Sequence, residues 1–332
     1  MQGSEYQGKG IDTLDLSINI AGIEFRNPII LGSGPLSAST AGLLRADKTG
    51  FGGVVTKSVT ITPSEGNPHP RWAFGAGYLV SADGLPNKGY KAMADDIKEA
   101  KEAGIAIPII GSVAGASPEE FAEMSVELAE KGADAIELNL VCPHRGTLVG
   151  RPKNESLGRY WSQTPERSFL VVKAVKDAVK IPVWAKFPSL PVLDKPEIAL
   201  KMEEAGVDVV VPTPGAFAGM VVDLETGRPV IGNWEHTGTL TGHAIKPVGI
   251  KFVSELSRIL QTPVIGTGGV SSGLDVIEYA MVGAQGVEVL TAIMQRTKVL
   301  DLIAEIEKFM SDKGYDSFQS FRGKALEFLP PR

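Results

Sequence analysis

Eight short apolar, β-branched runs recur along the chain, and a helical pattern follows each of them. They are NPIILGS (27–33), GGVVTKS (52–58), IPIIGSV (107–113), DAIELNL (134–140), IPVWAKF (181–187), DVVVP (208–212), TPVIGTG (262–268) and GVEVL (286–290). Apolar runs this continuous suit strands buried on both faces, as in a parallel sheet. Between them, 38–49, 88–103, 165–179, 196–205, 246–260, 273–283 and 297–312 read as helices. The helix after the third run is the best marked. Ser117-Pro118-Glu119-Glu120 supplies an N-cap, a proline at the first helical position and a capping glutamate. Phe121, Met124 and Leu128 then share one face, and Gly132 is the stop. Eight alternating units predict an α/β protein with a single closed (β/α)8 TIM barrel. A doubly wound open sheet is the alternative.

Length and composition narrow the function classes. At roughly 150 residues per domain, 332 residues would suggest two domains. No linker-like or low-complexity tract divides the chain, so one barrel domain over residues 1–332 is expected. No apolar run approaches the roughly 18–20 residues of a membrane span. The net charge of −6 disfavours a nucleic-acid partner. The single cysteine, Cys142, excludes an intramolecular disulfide and an iron–sulfur cluster held by this chain's own thiolates. With four histidines besides, a zinc site is poorly supplied, and no metal is expected. The opening residues, MQGSEYQGKG, lack the apolar stretch of a signal peptide, and a cytoplasmic location is expected.

The connections after strand 2 (59–87), strand 4 (141–163) and strand 6 (213–241) are long. In a barrel these βα loops lie on the C-terminal face, where the chemistry sits. Strand ends therefore supply the candidate residues. Lys57 and Lys186 stand in apolar strands, where a buried ammonium is costly without an anionic partner. Each lysine either forms a structural ion pair, with Glu137 or Glu288 as partners, or faces a shared anionic or electron-rich ligand. Gly266-Thr267-Gly268-Gly269, a helix beginning near Ser272, and Thr291 after strand 8 form a phosphate cradle in the usual barrel position. A plain tight turn is the alternative. Cys142 follows strand 4 beside Pro143-His144-Arg145-Gly146, whose cations would lower a thiol pKa. It is a candidate acid, base or nucleophile, or else a small buried apolar residue. His69, His236 and His243 read as surface or structural.

These motifs together resemble the class 1 dihydroorotate dehydrogenase family and the related flavin domain of dihydropyrimidine dehydrogenase. The resemblance runs from Leu16–Gly34 through TKSVT (56–60), GNPHPR (66–71), DGLPN (83–87), ELNLVCPH (137–144), AKFP (185–188), LTGHAIKP (240–247), GTGGVSSG (266–273) and FRGKAL (321–326). It implies FMN at the C-terminal barrel mouth. Gly32, Ser33 and Gly34 would pack by the isoalloxazine, with Ser58 and Asn139 beside it. Lys57 and Lys186 would be the two flavin-facing lysines; a cation there stabilises an anionic reduced flavin. Gly242, Gly268, Gly269 and Thr291 would line the ribityl and phosphate groups. Cys142 would be the general base that takes a proton from one carbon, with Lys57 beside it, while hydride leaves the neighbouring carbon for flavin N5. Lys57, Ser81, Gly84, Leu85, Asn139 and His144 would contact the substrate.

The chain departs from the family where the family reads a pyrimidine ring with asparagine amides. Against the family's Asn-Ser-Met-Gly-Leu it has Ser81-Ala82-Asp83-Gly84-Leu85, and the asparagine of Cys-Pro-Asn is His144. Val141 stands where serine is usual, and no asparagine occurs in Thr213-Pro214-Gly215-Ala216-Phe217. Fewer imide-reading groups imply weaker complementarity to orotate or uracil. The reading is an FMN oxidoreductase that interconverts C–C and C=C in a small cyclic substrate. Dihydropyrimidine chemistry is the default and another ring its rival. A non-redox phosphate-binding barrel is the competing class. The resemblance also implies a homodimer or larger assembly and, for NAD-linked turnover, an iron–sulfur flavin partner subunit.

Overall fold

All eight apolar runs become strands of one parallel sheet. The computed structural model describes residues 14–142, 157–188, 195–214 and 217–330. Its barrel strands are β1 (Ile29–Leu31), β2 (Gly53–Val55), β3 (Ile109–Val113), β4 (Ala135–Asn139), β5 (Val183–Pro188), β6 (Val209–Thr213), β7 (Ile265–Thr267) and β8 (Gly286–Val289). Their order is β6-β5-β4-β3-β2-β1-β8-β7, with every pairing parallel. A parallel bridge between Val210 and Val264 joins β6 to the start of β7, with Val210 N–H donating to the Pro263 carbonyl at 2.9 Å. This closure makes the sheet a TIM barrel and sets aside the open-sheet alternative. Every residue of the eight strands is buried except Lys186. The sheet is shielded on both faces, which is why the strands read as unbroken apolar runs.

Helices follow seven of the strands directly: Thr40–Lys48, Tyr90–Glu102, Pro118–Glu130, Pro165–Ala178, Lys195–Glu204, Lys246–Leu256 and Gly273–Met281. A short turn, Thr291–Met294, and the helix Val299–Lys313 follow β8. The hydroxyls of Ser39, Ser117, Thr164 and Ser272 each accept a backbone N–H in the first turn of their helix. Each cap stabilises its helix by about 1 kcal/mol. The expected face of Phe121, Met124 and Leu128 is fully buried. The capping glutamate Glu120 accepts from Ala116 N–H rather than from Ser117.

The two ends of the barrel are closed differently. At the N-terminal end an antiparallel hairpin, Ile18–Ile20 with Ile23–Phe25, packs inward. A Cβ on Gly53, at the start of β2, would lie 2.6 Å from the Phe25 ring, so glycine there makes room for the plug. At the C-terminal end the two longest loops combine. Trp72–Gly75 and Tyr78–Ser81, from the loop after β2, pair with Gly238–Thr241 and Ala218–Gly219, from the loop after β6. This four-stranded antiparallel sheet has its own small core of Ala73, Val80, Ala82 and Ile231. It forms part of the wall of the barrel mouth. Among the described residues no helix is long and apolar enough to cross a membrane.

Candidate active site

The cavity at the C-terminal mouth holds nearly every candidate read from the strand ends. Its lining includes Gly32, Ser33, Lys57, Ser58, Asn139, Cys142, Lys186, Gly242, Gly268, Gly269 and Thr291, with Ser81, Gly84 and Leu85 contributed by the upper sheet and its following turn. Counting the open mouth, it encloses about 1190 Å³. Gly34 is not in the lining. A Cβ there would run into the Leu290 side chain at 2.4 Å, so Gly34 lets the first βα turn close against the last. His144 lies outside the described residues, as do Arg145 and Arg151.

Both lysines are paired. Lys186 Nζ is hydrogen-bonded to Glu288 Oε2 and lies 3.7 Å from Glu137 Oε2. Burial alone would pull its pKa down, but the two carboxylates outweigh it and hold the ammonium above the ordinary lysine range. Glu137 is fully buried, and burial with the repulsion of Glu288 raises its pKa well above the usual carboxylate value, against the pull of Lys186. The ion-pair expectation for Lys186 is met, with both expected partners. Lys57 instead pairs with Asp83, Nζ to Oδ2 at 2.7 Å. Asp83 was not among the sequence candidates. No strand pattern marks it, because it sits in the turn after the upper sheet.

A line of hydroxyls and one amide leads from β1 to the cysteine. Ser33 Oγ is 3.0 Å from Ser58 Oγ, which is 2.8 Å from Ser112 Oγ, which donates to Glu137 Oε1 at 3.2 Å. Asn139 Nδ2 donates to Ser58 Oγ at 2.9 Å and to Cys142 Sγ at 3.5 Å. Its Oδ1 accepts the backbone N–H groups of Val141 and Cys142, at 3.1 and 3.3 Å. One side chain thus fixes both the turn after β4 and the direction of the thiol. Cys142 as a residue is partly exposed, but the thiol itself is surrounded by protein. Burial pushes its pKa up; the Asn139 hydrogen bond and the Lys57 charge pull the other way, and Asp83 opposes them. Burial thus outweighs the cations that are placed, while His144 and Arg145, on which the expected lowering rests, lie outside the described residues.

The glycine turn after β7 has the geometry of a cradle. Gly268 and Gly269 adopt φ of +97° and +77°, a backbone that side chains rarely tolerate. Among the described residues no acceptor faces their N–H groups. Tyr279, from the helix Gly273–Met281, donates its hydroxyl to the carbonyls of Thr267 and Gly268, at 2.9 and 2.7 Å. Those carbonyls are held from behind, which leaves the N–H groups for a ligand. Thr291 Oγ1 is 3.3 Å from Thr241 Oγ1 across the cavity. Ser272 caps the following helix with Asp275 in a reciprocal capping box. His243 Nδ1 contacts the Gly269 carbonyl at 3.1 Å and Ser271 Oγ at 2.9 Å, a structural role. Sequence reasoning missed Tyr279, whose helical spacing is that of any core aromatic. It also missed Thr239 and Thr241, which line the cavity from within a loop.

A model of the dihydroorotate dehydrogenase family matches residues 15–310. The catalytic subunit of dihydroorotate dehydrogenase B (NAD(+)) of Methanosarcina acetivorans is 39% identical over 314 residues, covering 94% of this chain and 96% of that protein. The catalytic subunit of the same name from Methanothermobacter thermautotrophicus is 38% identical over 312 residues, or 93% and 98% of the two chains. That from Thermococcus kodakarensis is 37% identical over 315 residues, or 94% and 98%.

Proposed function

The chain belongs to the dihydroorotate dehydrogenase family and is an oxidoreductase acting on a CH–CH bond; we propose that it does so with FMN, as one domain over residues 1–332, on a small cyclic substrate. The observation that carries this reading is the convergence of Cys142, Asn139 and two paired lysines on one roomy cavity beside a glycine cradle. The residues suit a flavin. The N–H groups of Gly268 and Gly269, without an acceptor among the described residues, match a phosphate together with Thr291. Gly32 and Ser33 line the cavity just past the end of β1. Lys57 and Lys186 are the cations for the electron-rich edge of the ring. When bound, FMN supplies the acceptor for a hydride from one substrate carbon.

The chain's own residues supply the other half of the reaction. Cys142, as thiolate, takes the proton from the neighbouring carbon, and the C–H electron pair left behind becomes the new C=C bond. Asn139 aims the thiol and sets the turn that carries it. Ser81, Gly84 and Leu85 wall the substrate side. The relatives' names, with their catalytic subunit, support a second subunit that passes electrons onward. An iron–sulfur and flavin protein fits, because this chain has one cysteine and no means to hold a cluster. Self-association to a dimer or larger is part of the same reading.

The visible spectrum of the purified protein tests it. Bands near ~370 and ~450 nm, which are the cofactor's own, are expected. They should bleach anaerobically when a dihydropyrimidine such as dihydroorotate or dihydrouracil is the substrate. Bands without bleaching would move the substrate to another ring. A colourless protein that takes up no added FMN would overturn the reading in favour of a non-redox phosphate-binding barrel.

A further inference from the structure

The charges facing the cavity nearly cancel, and one of them has no counterpart in the family's pattern. Among the described residues, the lining contains Lys57 and Lys186 against Asp83, Glu137 and Glu288. Glu288 takes the charge of Lys186. Asp83 takes that of Lys57, and it stands where the family's Asn-Ser-Met-Gly-Leu segment has an uncharged methionine. Its place is fixed. The Asp83 carbonyl accepts Asn67 N–H at 3.0 Å, and Asn67 Nδ2 donates to the Ala82 carbonyl at 2.9 Å. The next two residues, Gly84 and Leu85, adopt φ of +74° and +54°. A Cβ at Gly84 would stand 2.6 Å from Asn67 N, so the turn has little freedom to swing the carboxylate away. Asp83 Oδ1 accepts no hydrogen bond from a described residue, and Asp83 lines the cavity.

We propose that Asp83 is a specificity-determining residue of this site, selecting an uncharged ring that presents an N–H group over a ring that carries a carboxylate. The inference rests on the redox reading above and names the substrate class for that same cavity. An entering carboxylate finds both placed ammonium groups engaged, Lys186 by Glu288 and Lys57 by Asp83 itself. Cancelling the Lys57 charge removes one unit of attraction for an anion in a partly buried site, which alters occupancy by about tenfold or more. A neutral ring with an N–H meets an acceptor instead, as a charge-assisted hydrogen bond. Dihydroorotate, with its ring carboxylate, belongs to the disfavoured class, and its decarboxylated analogue dihydrouracil to the favoured one.

Cys142 is the chain's one cysteine and lines this cavity, so its alkylation reports the local selectivity for charge. In either reagent below, the thiolate forms an S–C bond and iodide leaves. The rates with neutral iodoacetamide and anionic iodoacetate are measured by mass spectrometry on the purified protein, native and unfolded in urea. The amide-to-acetate rate ratio should be about tenfold higher in the native protein than in the unfolded chain. In Asp83→Asn the native ratio should fall to within about threefold of the unfolded one; Asp83→Ser serves if the amide disturbs the turn. Taking a ratio cancels any change in thiolate fraction. A native ratio no higher than the unfolded one overturns the proposal. An unchanged ratio in a natively melting Asp83→Asn overturns it too. So does failure of both reagents, because a cavity open to a small neutral ring must admit iodoacetamide. None of these results touches FMN uptake, which alone decides the redox reading.

Discussion

Asn139 holds Cys142 at both ends: its amide nitrogen donates to the thiol at 3.5 Å, and its oxygen accepts the cysteine's own backbone N–H at 3.3 Å. The same nitrogen reaches Ser58 at 2.9 Å, so the thiol's direction is tied to the end of β2. A base that must meet one carbon while hydride leaves its neighbour needs this kind of fixed aim.

Cys142→Ala removes the base and nothing that would hold the cofactor. It should retain FMN and the native melt, and lower the rate of anaerobic flavin reduction by substrate about 10²- to 10⁴-fold, the usual contribution of a positioned base. Stopped-flow bleaching at 450 nm checks it. A variant that reduces at the native rate would end the assignment.

Asn139→Ala should act on the same rate through aim rather than chemistry. The Val141 and Cys142 N–H groups lose their acceptor, and each hydrogen bond lost is about 1 kcal/mol of order in the turn. Flavin reduction should slow by about tenfold to a hundredfold, with a smaller change in iodoacetamide reactivity at Cys142. Equal losses in both would mean that the thiol's reactivity, not its direction, had changed.

The raised pKa of Cys142 fixes the sign of the pH dependence. Only the thiolate accepts a proton, so flavin reduction should accelerate as pH rises, with its limb above the ordinary thiol value in the free enzyme. Lys57 lowers that pKa and Asp83 raises it. Lys57→Met should therefore move the limb to higher pH and Asp83→Asn to lower pH. A limb that ignores both charges would point to a different titrating group.

The paired carboxyls beneath Lys186 give a stability prediction. Glu137 keeps its proton in the folded chain at a pH where the unfolded chain has lost it, since its folded pKa lies well above 4.5. A raised folded pKa means that the contribution is full below the unfolded value and declines as pH climbs through the folded one. Wild-type stability should thus fall from pH 5 toward 8 relative to Glu137→Gln, whose amide cannot ionise. Lys186→Met takes from Glu288 its cationic partner, a loss of about 3–5 kcal/mol. Adding Glu288→Gln should restore much of it. Chemical denaturation at the two pH values reads all four proteins.

The barrel was legible because a sheet covered on both faces writes itself as unbroken apolar runs. The run DAIELNL yielded Ala135–Asn139, and IPVWAKF yielded Val183–Pro188 with Lys186 as its single non-buried residue. Helix positions followed from caps such as Ser117 and Ser272. The upper sheet was not legible. Tyr78–Ser81 and Gly238–Thr241 lie more than 150 residues apart, and their pairing is set by tertiary contact rather than by a local period. Site residues on strand ends could be found by position. Asp83 and Tyr279 could not, since one is an ordinary turn acid and the other an ordinary core aromatic until their hydrogen bonds are seen. The direction of the Cys142 pKa shift was likewise beyond sequence, because desolvation depends on what closes over the thiol.

Tyr279 offers a test of the cradle that leaves the cradle's own residues in place. Its hydroxyl donates to the carbonyls of Thr267 and Gly268, and its ring fills the space beside Gly266, where a Cβ would come within 2.5 Å. Tyr279→Phe keeps the ring and removes both hydrogen bonds. Two carbonyls, that of Thr267 buried, then lose their donor, for about 1–3 kcal/mol of stability. The turn, freed from behind, no longer fixes the N–H groups of Gly268 and Gly269 at one spacing. FMN dissociation, followed by recovery of free-flavin fluorescence on dilution, should quicken several-fold, while apoprotein refolds to the same secondary structure by circular dichroism. Gly268→Ala should do more, since its methyl would meet Pro214 Cγ at 2.3 Å in a backbone held at φ +97°. If Tyr279→Phe melts lower but holds FMN as tightly as the wild type, the tyrosine supports the barrel alone, and the phosphate must be held elsewhere along the cavity.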